Sequence, residues 1–359
     1  MFDMLNRWYK RRFSDPHAVS LFAMLLFGFL IIYFMGHLIA PLLVAIVLAY
    51  LLEWPIIQMV RLGIPRTLSV VLVITVFVSL MLVAVFVLIP TIWNQVGNLI
   101  NDIPGMYSQL QHLINTVPEK YPELADLAIV EPMMDNIKNQ ALHFGESVVK
   151  GSLASLVSIA TLAVYLILVP LLIFFLLKDK GEMLKTASNI MPRNRKLVTK
   201  VWVEMNEQIS NYIRGKVLEI LIVGGVSYIA FAILDLRYSV LLAVAVGFSV
   251  LIPYIGAAAV TIPVAIVGIF QWGFTPPFYW LLVVYGIIQT LDGNVLVPVL
   301  FSEAVNLHPV AIIVAVLVFG GMWGFWGVFF AIPLATLVKA VWHALPSGEV
   351  EDEPHQTAS

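Results

Sequence analysis

Long apolar runs are the feature that most constrains this chain. A bilayer core about 30 Å thick is crossed by a helix of about 20 apolar residues, and about eight segments here have that length and composition. They are 18–35, 38–60, 68–90, 153–177, 217–236, 239–270, 278–300 and 310–341. Because 60% of the residues are hydrophobic and only 12% are charged, the sequence predicts an all-α, polytopic membrane protein.

Two of these segments contain residues that interrupt helices. The run at 239–270 is longer than one straight span and contains "LIPYIG". Within it Pro253 lacks a backbone donor and Gly256 relaxes the backbone, so we expect a broken helix there. The break makes this run either a discontinuous span or a re-entrant hairpin. Pro41 and Pro55 mark the second segment in the same way.

The basic residues predict the orientation of the chain. Lys and Arg concentrate in 1–17, after the second span and in 178–216, and such segments stay in the cytoplasm. Segment 91–152 has few basic residues and more acids, and its apolar residues recur at helical spacing. We expect a bacterial inner-membrane protein with both termini cytoplasmic and a small periplasmic domain of about two or three short helices.

These features divide the chain into successive regions. Lipid or the helix bundle could equally cover the apolar stripe of the basic inner segment. The predicted regions are a basic cytoplasmic N-terminus (1–17), transmembrane helices 1 to 3 (18–90), the periplasmic helical domain (91–152), transmembrane helix 4 (153–177), a basic amphipathic cytoplasmic segment (178–216), transmembrane helices 5 to 8 with a break at 253–256 (217–343), and a mobile acidic cytoplasmic tail (344–359).

One carboxylate lies deep within an apolar span. Asp292 is about 21 Å beyond Phe278 along a helix, where a charge costs about 2.5–3.5 kcal/mol. Protonation, a partner such as Gln289 or Asn294, or a water-filled cavity would offset this cost. These solutions favour a pathway for an ion or polar solute. The structural alternative is that Asp292 caps a broken helix end near Gly256.

Weaker signals lie elsewhere in the spans. Glu53 is a secondary pathway candidate, although the arginines of the following turn can pair with it. Glu219, with Lys216 one turn earlier, is expected at the membrane interface. A small-residue pattern predicts close helix packing and not a phosphate site. Its members are Gly320, Gly324 and Gly327.

Several function classes find no support in the sequence. The chain has no cysteine, and its seven histidines show no ligand spacing, so we expect no metal site and no thiol chemistry. "SNYIRGKV" lacks the first glycine and the final Ser or Thr of a nucleotide-binding loop. A net charge of −2 gives no reason to expect nucleic acid binding. We expect no cofactor and no enzymatic activity.

Four long blocks in order bear a family resemblance. They are "APLLVAIVLAYLLEWP", "SVLIPYIGAAAVTIP", "QTLDGNVLVPVLFSEAVNLHP" and "GFWGVFFAIPLATLVKAV". Over essentially its whole length the chain resembles the autoinducer-2 exporter (AI-2E) family of permeases, above all its PerM-type members. The resemblance implies a homo-oligomer that exports autoinducer-2 or exchanges sodium for protons. The matching family positions are Pro41, Pro253, Tyr254, Gly256, Asp292, Gly293, Pro298, Pro309, Gly327 and Pro333.

Three functional hypotheses follow. The first is a secondary transporter or exporter of a small polar solute, or an ion-coupled antiporter, with its site near the membrane middle. The second is a membrane scaffold whose periplasmic domain binds an envelope protein partner or lipid. The third is a lipid translocator. The pathway residues predicted for the first hypothesis are Pro253, Tyr254, Gly256, Gln289, Asp292 and Asn294.

Overall fold

Helices joined by short turns make up nearly all of the structure. The computed structural model of this protein describes residues 16–120, 155–190, 196–253, 255–301 and 307–344, and the statements below concern these residues. No strand is present among them. The helices in chain order are α1 (Pro16–Arg61), α2 (Arg66–Val83), α3 (Ile89–Lys120), α4 (Ser155–Lys178), α5 (Lys180–Ile190), α6 (Lys196–Ile233), α7 (Ser239–Ser249), α8 (Ile255–Trp272), α9 (Pro276–Leu291), α10 (Val297–Phe301), α11 (Pro309–Trp323) and α12 (Phe325–Ala344).

Several helices are long and apolar enough to cross a membrane, which confirms the predicted fold class. Among the described residues there are five such stretches, and shorter apolar helices accompany them. Inside lipid every backbone polar group has to find a partner within the protein, and helices meet this requirement. The five stretches are Ala40–Arg61, Arg66–Met106, Met205–Ile233, Ile255–Trp272 and Pro276–Phe301.

The first two predicted spans belong to one helix. α1 runs without interruption for 46 residues, about 69 Å at 1.5 Å per residue. The prediction of separate spans at 18–35 and 38–60 was therefore wrong, because the Gly36 and His37 pair between them does not end the helix. An isolated glycine weakens a helix without terminating it, unless the chain also has a reason to turn there.

The last predicted span, in contrast, is two helices. α11 has 15 residues, about 22 Å of helix, which is too short for a bilayer core. It ends at Gly324, whose φ of 58° and ψ of −132° only glycine adopts readily. Gly324 is thus a turn residue and not the packing residue predicted, since a Cβ there would meet nothing within 4 Å.

Gly320 and Gly327 lie where α11 and α12 pack together. A Cβ at Gly327 would lie 1.8 Å from the Phe319 carbonyl oxygen, and one at Gly320 would lie 2.8 Å from the Val328 side chain. Backbone atoms cannot move aside as a side chain can. Gly327 therefore permits the close approach of the two helices, in the way that small residues do in membrane proteins.

α3 is one continuous helix of 32 residues that extends beyond the apolar stretch. The predicted periplasmic domain of about two or three short helices thus begins with a single long one, and its remainder, 121–152, lies outside the described residues.

Polar contacts fix α3 to the turn before α7 and to the first residues of α7. Asp102 accepts a hydrogen bond from the Tyr238 hydroxyl and lies 3.6 Å from Arg237, and Gln95 accepts one from the Leu241 backbone at 2.8 Å. Burial and the bond to Asp102 raise the pKa of Tyr238 to about 12.

The chain divides into two compact units. Unit 1 contains Met1–Leu51, Phe175–Arg214 and Phe301–Ser359, and unit 2 contains Leu52–Phe174 and Gly215–Leu300. The core of unit 2 consists of side chains from α6, α7, α8 and α9. Its members include Val223, Phe231, Val246, Val264, Leu281 and Tyr285.

Within unit 2, α6 and α7 approach each other at two glycines. A Cβ on Gly247 would lie 2.9 Å from the Ile220 carbonyl oxygen and 3.2 Å from the Cα of Gly224. The two helices therefore contact each other backbone to backbone at this point.

Within unit 1, a tyrosine compensates for a proline inside a helix. Pro333 has no N–H, so the Phe329 carbonyl four residues earlier loses its normal donor. The hydroxyl of the buried Tyr212 donates to that oxygen at 3.0 Å. A side chain of α6 thus satisfies the carbonyl that Pro333 leaves free.

Tyr212→Phe should lower the free energy of unfolding by about 1–3 kcal/mol, because the buried Phe329 carbonyl then lacks a donor. In a Pro333→Ala background the new backbone N–H can donate instead, so the same substitution should cost much less. Thermal unfolding of the four detergent-solubilised variants measures both costs. Equal costs in the two backgrounds would show that Tyr212 does not act through this carbonyl.

Candidate functional site: a buried charged cluster beside a broken helix

A buried ion pair lies on α6. Lys216 and Glu219 are only 4% and 2% exposed, and the Lys216 ammonium lies 2.6 Å from Oε2 of Glu219. Glu219 was expected at the membrane interface, and the structure shows in addition that it is buried within the protein. Sequence reasoning recognised the spacing of the pair, but burial depends on neighbouring helices that are distant in the chain. A buried pair of this kind is costly to desolvate and strongly disrupted when one partner is removed.

Lys216 also contacts the broken helix. Its ammonium donates a hydrogen bond to the Val250 carbonyl at 3.0 Å, just beyond the end of α7 at Ser249. The last carbonyls of a helix have no donor within the helix and form the negative end of its dipole. The Lys216 side chain therefore supplies both a donor and a positive charge where the helix ends.

The helix is interrupted close to the predicted break at 253–256 and slightly before it. α7 ends at Ser249 and α8 begins at Ile255, and Pro253 lies between them, while Tyr254 is outside the described residues. The chain turns tightly here, because a Cβ at Gly256 would lie 1.8 Å from the Ser249 carbonyl oxygen. Glycine is thus required by packing at this position.

A wide helical turn places Asp292 after α9. Residues Asp292–Leu296 form a π-helical turn in which the Val297 N–H donates to the Asp292 carbonyl. Pro298 follows, and its ring and missing donor disfavour regular α-helical bonding to the carbonyl four residues earlier. The same arrangement recurs at Ala84–Leu88, two residues before Pro90. The proline therefore accounts for the wide turn at the carboxylate, a type of turn that is frequent at functional sites.

Polar side chains form one face of α9 and the turn after it. Tyr285, Gln289 and Asp292 follow each other at helical spacing. The Tyr285 hydroxyl lies 3.4 Å from both Thr261 Oγ1 and the Ala257 carbonyl oxygen on α8. Tyr285 also lies beside Gln289. Sequence reasoning missed Tyr285, although its position one turn before Gln289 was a usable signal.

Asp292 has unused hydrogen-bonding capacity. Its Oδ1 and the Nε2 of Gln289 are buried and have no hydrogen-bond partner among the described residues. The carboxylate also interacts electrostatically with Lys216 and Glu219. Two acidic groups and one ammonium therefore share this region, next to an acceptor and a donor that remain open.

Two other predicted residues lie apart from this cluster. The exposed Asn294 donates to the Thr290 carbonyl on its own helix at 2.9 Å. Glu53 lies 3.3 Å from Arg66, across the turn between α1 and α2, as its neighbouring arginines predicted. No group of three or more His, Cys, Asp or Glu that could bind a metal occurs within the described ranges. The cluster can bind polar groups, a proton or a cation.

Comparison with known proteins agrees with the resemblance. A family model described as "AI-2E family transporter" matches residues 22–347. The chain is 56% identical to "Putative permease PerM" of Escherichia coli (strain K12) over 353 residues, which cover 98% of this chain and 100% of that protein. It is 27% identical to "Putative transport protein YueF" of Bacillus subtilis (strain 168) over 314 residues, which cover 86% and 84%. These relatives are permeases or transport proteins by name and not enzymes.

Lys216→Met should lower the free energy of unfolding by about 3–5 kcal/mol, because Glu219 would remain charged and buried without its partner. Adding Glu219→Gln to this variant should restore part of the loss. Arg66→Met is the matched control, since the exposed pair with Glu53 is worth about 0–1 kcal/mol. Thermal unfolding measures all three, and equal losses for Lys216→Met and Arg66→Met would contradict the assignment.

Gly256→Ala should lower the free energy of unfolding by about 1–3 kcal/mol, because the added methyl group overlaps the Ser249 carbonyl. Gly286→Ala is the control, since Gly286 lies within α9 and a methyl group added there would meet nothing within 4 Å. That change should be neutral or stabilise the helix by up to about 1 kcal/mol. Unfolding midpoints in detergent that fall equally for both variants would argue against a packing requirement at the break.

Proposed function

Because this chain belongs to the AI-2E transporter family, we propose that it is a secondary transporter whose pathway passes Asp292. The transported species is a small polar solute of the autoinducer-2 type, or an ion moved in antiport. The family makes the chain a permease or transporter, whereas the substrate and the pathway belong to the proposal.

The observation that supports this proposal is the buried, unpartnered oxygen of Asp292. An acidic side chain within a span is costly and is retained where it faces a pathway or a partner. Here Oδ1 has no hydrogen-bond partner among the described residues, and neither has the nearby Nε2 of Gln289. Glu219 differs in that its carboxylate forms an ion pair with Lys216 at 2.6 Å, although its Oε2 also makes no hydrogen bond of regular geometry among the described residues.

The broken helix fits the same role. Discontinuous helices of secondary transporters present backbone groups and helix ends to a solute near the membrane middle. In unit 2 the break between α7 and α8 is connected to the acidic cluster through Lys216 and the Val250 carbonyl. Asp292 would bind the solute or exchange a proton, Gln289 would donate a hydrogen bond, and the break would move as access alternates.

The remaining features of the proposal concern the surroundings of the protein. It lies in the bacterial inner membrane among lipids with both termini cytoplasmic, following the distribution of basic residues, and it assembles as a homo-oligomer. An envelope protein partner would contact the periplasmic segment. No described feature favours the scaffold or the lipid-translocator hypothesis over transport.

Asp292→Asn should reduce solute flux by at least about tenfold, because the amide cannot ionise. Purified protein in proteoliposomes would be supplied with autoinducer-2, and separately with imposed sodium and proton gradients. Thr290→Val is the matched control, because Thr290 is exposed on the same helix and its hydroxyl donates to the Gly286 carbonyl of that helix at 2.7 Å. It should keep most of the native flux.

Full flux in Asp292→Asn would remove this residue from the mechanism. No flux of any of these species through the well-folded native protein would contradict the proposed substrates. Size-exclusion profiles matching the native protein establish that each variant is folded.

A further inference from the structure

We propose that Lys216 is a positioning residue that transmits the charge state of Asp292 to the break between α7 and α8. The inference concerns the site described above and rests on the proposed transport function for its biological purpose. Its physical content is narrower: one ammonium interacts with Glu219, the Val250 carbonyl and Asp292, and a change at one of them alters its hold on the others.

The Lys216 ammonium contacts two acceptors and also interacts electrostatically with Asp292. It lies 2.6 Å from Glu219 and 3.0 Å from the Val250 carbonyl oxygen, and its charge interacts with that of Asp292. An ammonium has three donors on a flexible stem, so it can redistribute between neighbours without rearrangement of its helix. The charged groups that act on it include Glu219 on its own helix and Asp292 on the π turn.

Asp292 decides how strongly the ammonium is drawn away. When Asp292 is ionised and empty, two carboxylates compete for a single positive charge that has little contact with water. When a proton or a bound solute neutralises Asp292, the competition ends and the ammonium is held by Glu219 and Val250. Burial strengthens this competition, because charges attract more strongly in a medium of low dielectric constant.

The Val250 carbonyl converts that competition into a structural change. It lies just after α7, where a backbone acceptor has no donor from the helix itself. The chain around it has little room to adjust, since Gly256 packs directly against Ser249. A weaker bond from Lys216 would therefore displace the break as a whole and change the exposure of Ile252, whose N–H bonds to Ser249 at 3.1 Å.

The absence of native cysteines allows a direct test by cysteine labelling. Ile252→Cys reports on the break, and the rate of its reaction with a maleimide is measured in detergent for four backgrounds: otherwise native, Asp292→Asn, Lys216→Met and the two together. We expect Asp292→Asn to change the labelling rate at least about threefold when Lys216 is present, but less than about 1.5-fold in Lys216→Met. The effects of two substitutions are non-additive in this way when the two residues are coupled. Thr275→Cys, in the turn between α8 and α9, should react at one rate in all four.

A second substitution fixes the direction of the effect. Glu219→Gln leaves Asp292 as the carboxylate that attracts the ammonium, so it should change the labelling rate in the opposite direction to Asp292→Asn. Lys216→Arg keeps the charge and should retain the coupling. If Lys216→Met does not give a native size-exclusion profile, Lys216→Gln replaces it, and the opposite shifts of Glu219→Gln and Asp292→Asn test the inference without any change at Lys216.

Three results would overturn the inference. They are an equal effect of Asp292→Asn with and without Lys216, no effect in either background, and shifts of the same sign for Glu219→Gln and Asp292→Asn. The labelling needs no solute and no gradient. Coupled labelling without flux would therefore contradict the proposed function and leave this inference standing. Flux that depends on Asp292, without coupled labelling, would support the proposed function and contradict this inference.

Discussion

Backbone carbonyls without a donor have to find one inside this protein, because lipid offers none. Three parts of the structure answer this requirement in different ways. Tyr212 donates to the carbonyl that Pro333 leaves free, and Lys216 donates to Val250 beyond the end of α7. Before Pro298 the helix widens into a π turn. Both side-chain donors lie on α6: Tyr212 makes its contact within unit 1, and Lys216 makes its contact within unit 2.

The choice of donor has electrical consequences. A tyrosine hydroxyl satisfies a carbonyl and remains neutral, so the pair it forms in unit 1 is purely structural. A lysine introduces a charge, and burial of that charge requires a carboxylate, which Glu219 provides. Asp292 then adds a further negative charge. The polar cluster of unit 2 can thus be understood as an ion pair that stabilises a broken helix, together with an additional acid that the stability of the break does not require.

The sequence predicted the parts of the fold and site that local pattern determines. Proline and glycine predicted a break at 253–256, and the helix is interrupted between Ser249 and Ile255; the apolar context singled out Asp292 as a candidate. What it missed depends on distant contacts: Lys216 bonds to Val250, 34 positions away, and nothing nearby in the chain indicates this. The turn at Gly324 was missed because glycines used for packing and for turning look alike in a sequence. The continuity of α1 was missed because the hydropathy of the sequence shows which residues could span a bilayer, but not whether the helix ends between two apolar runs.

The glycine contact between α6 and α7 limits how unit 2 can change shape. Gly224 and Gly247 meet backbone to backbone, so no flexible side chains lie between the helices to let them slide past each other. Shear between packed helices depends on such side chains, whereas hinge motion needs only a few residues that change their dihedral angles. The two helices should therefore rotate together as a rigid pair.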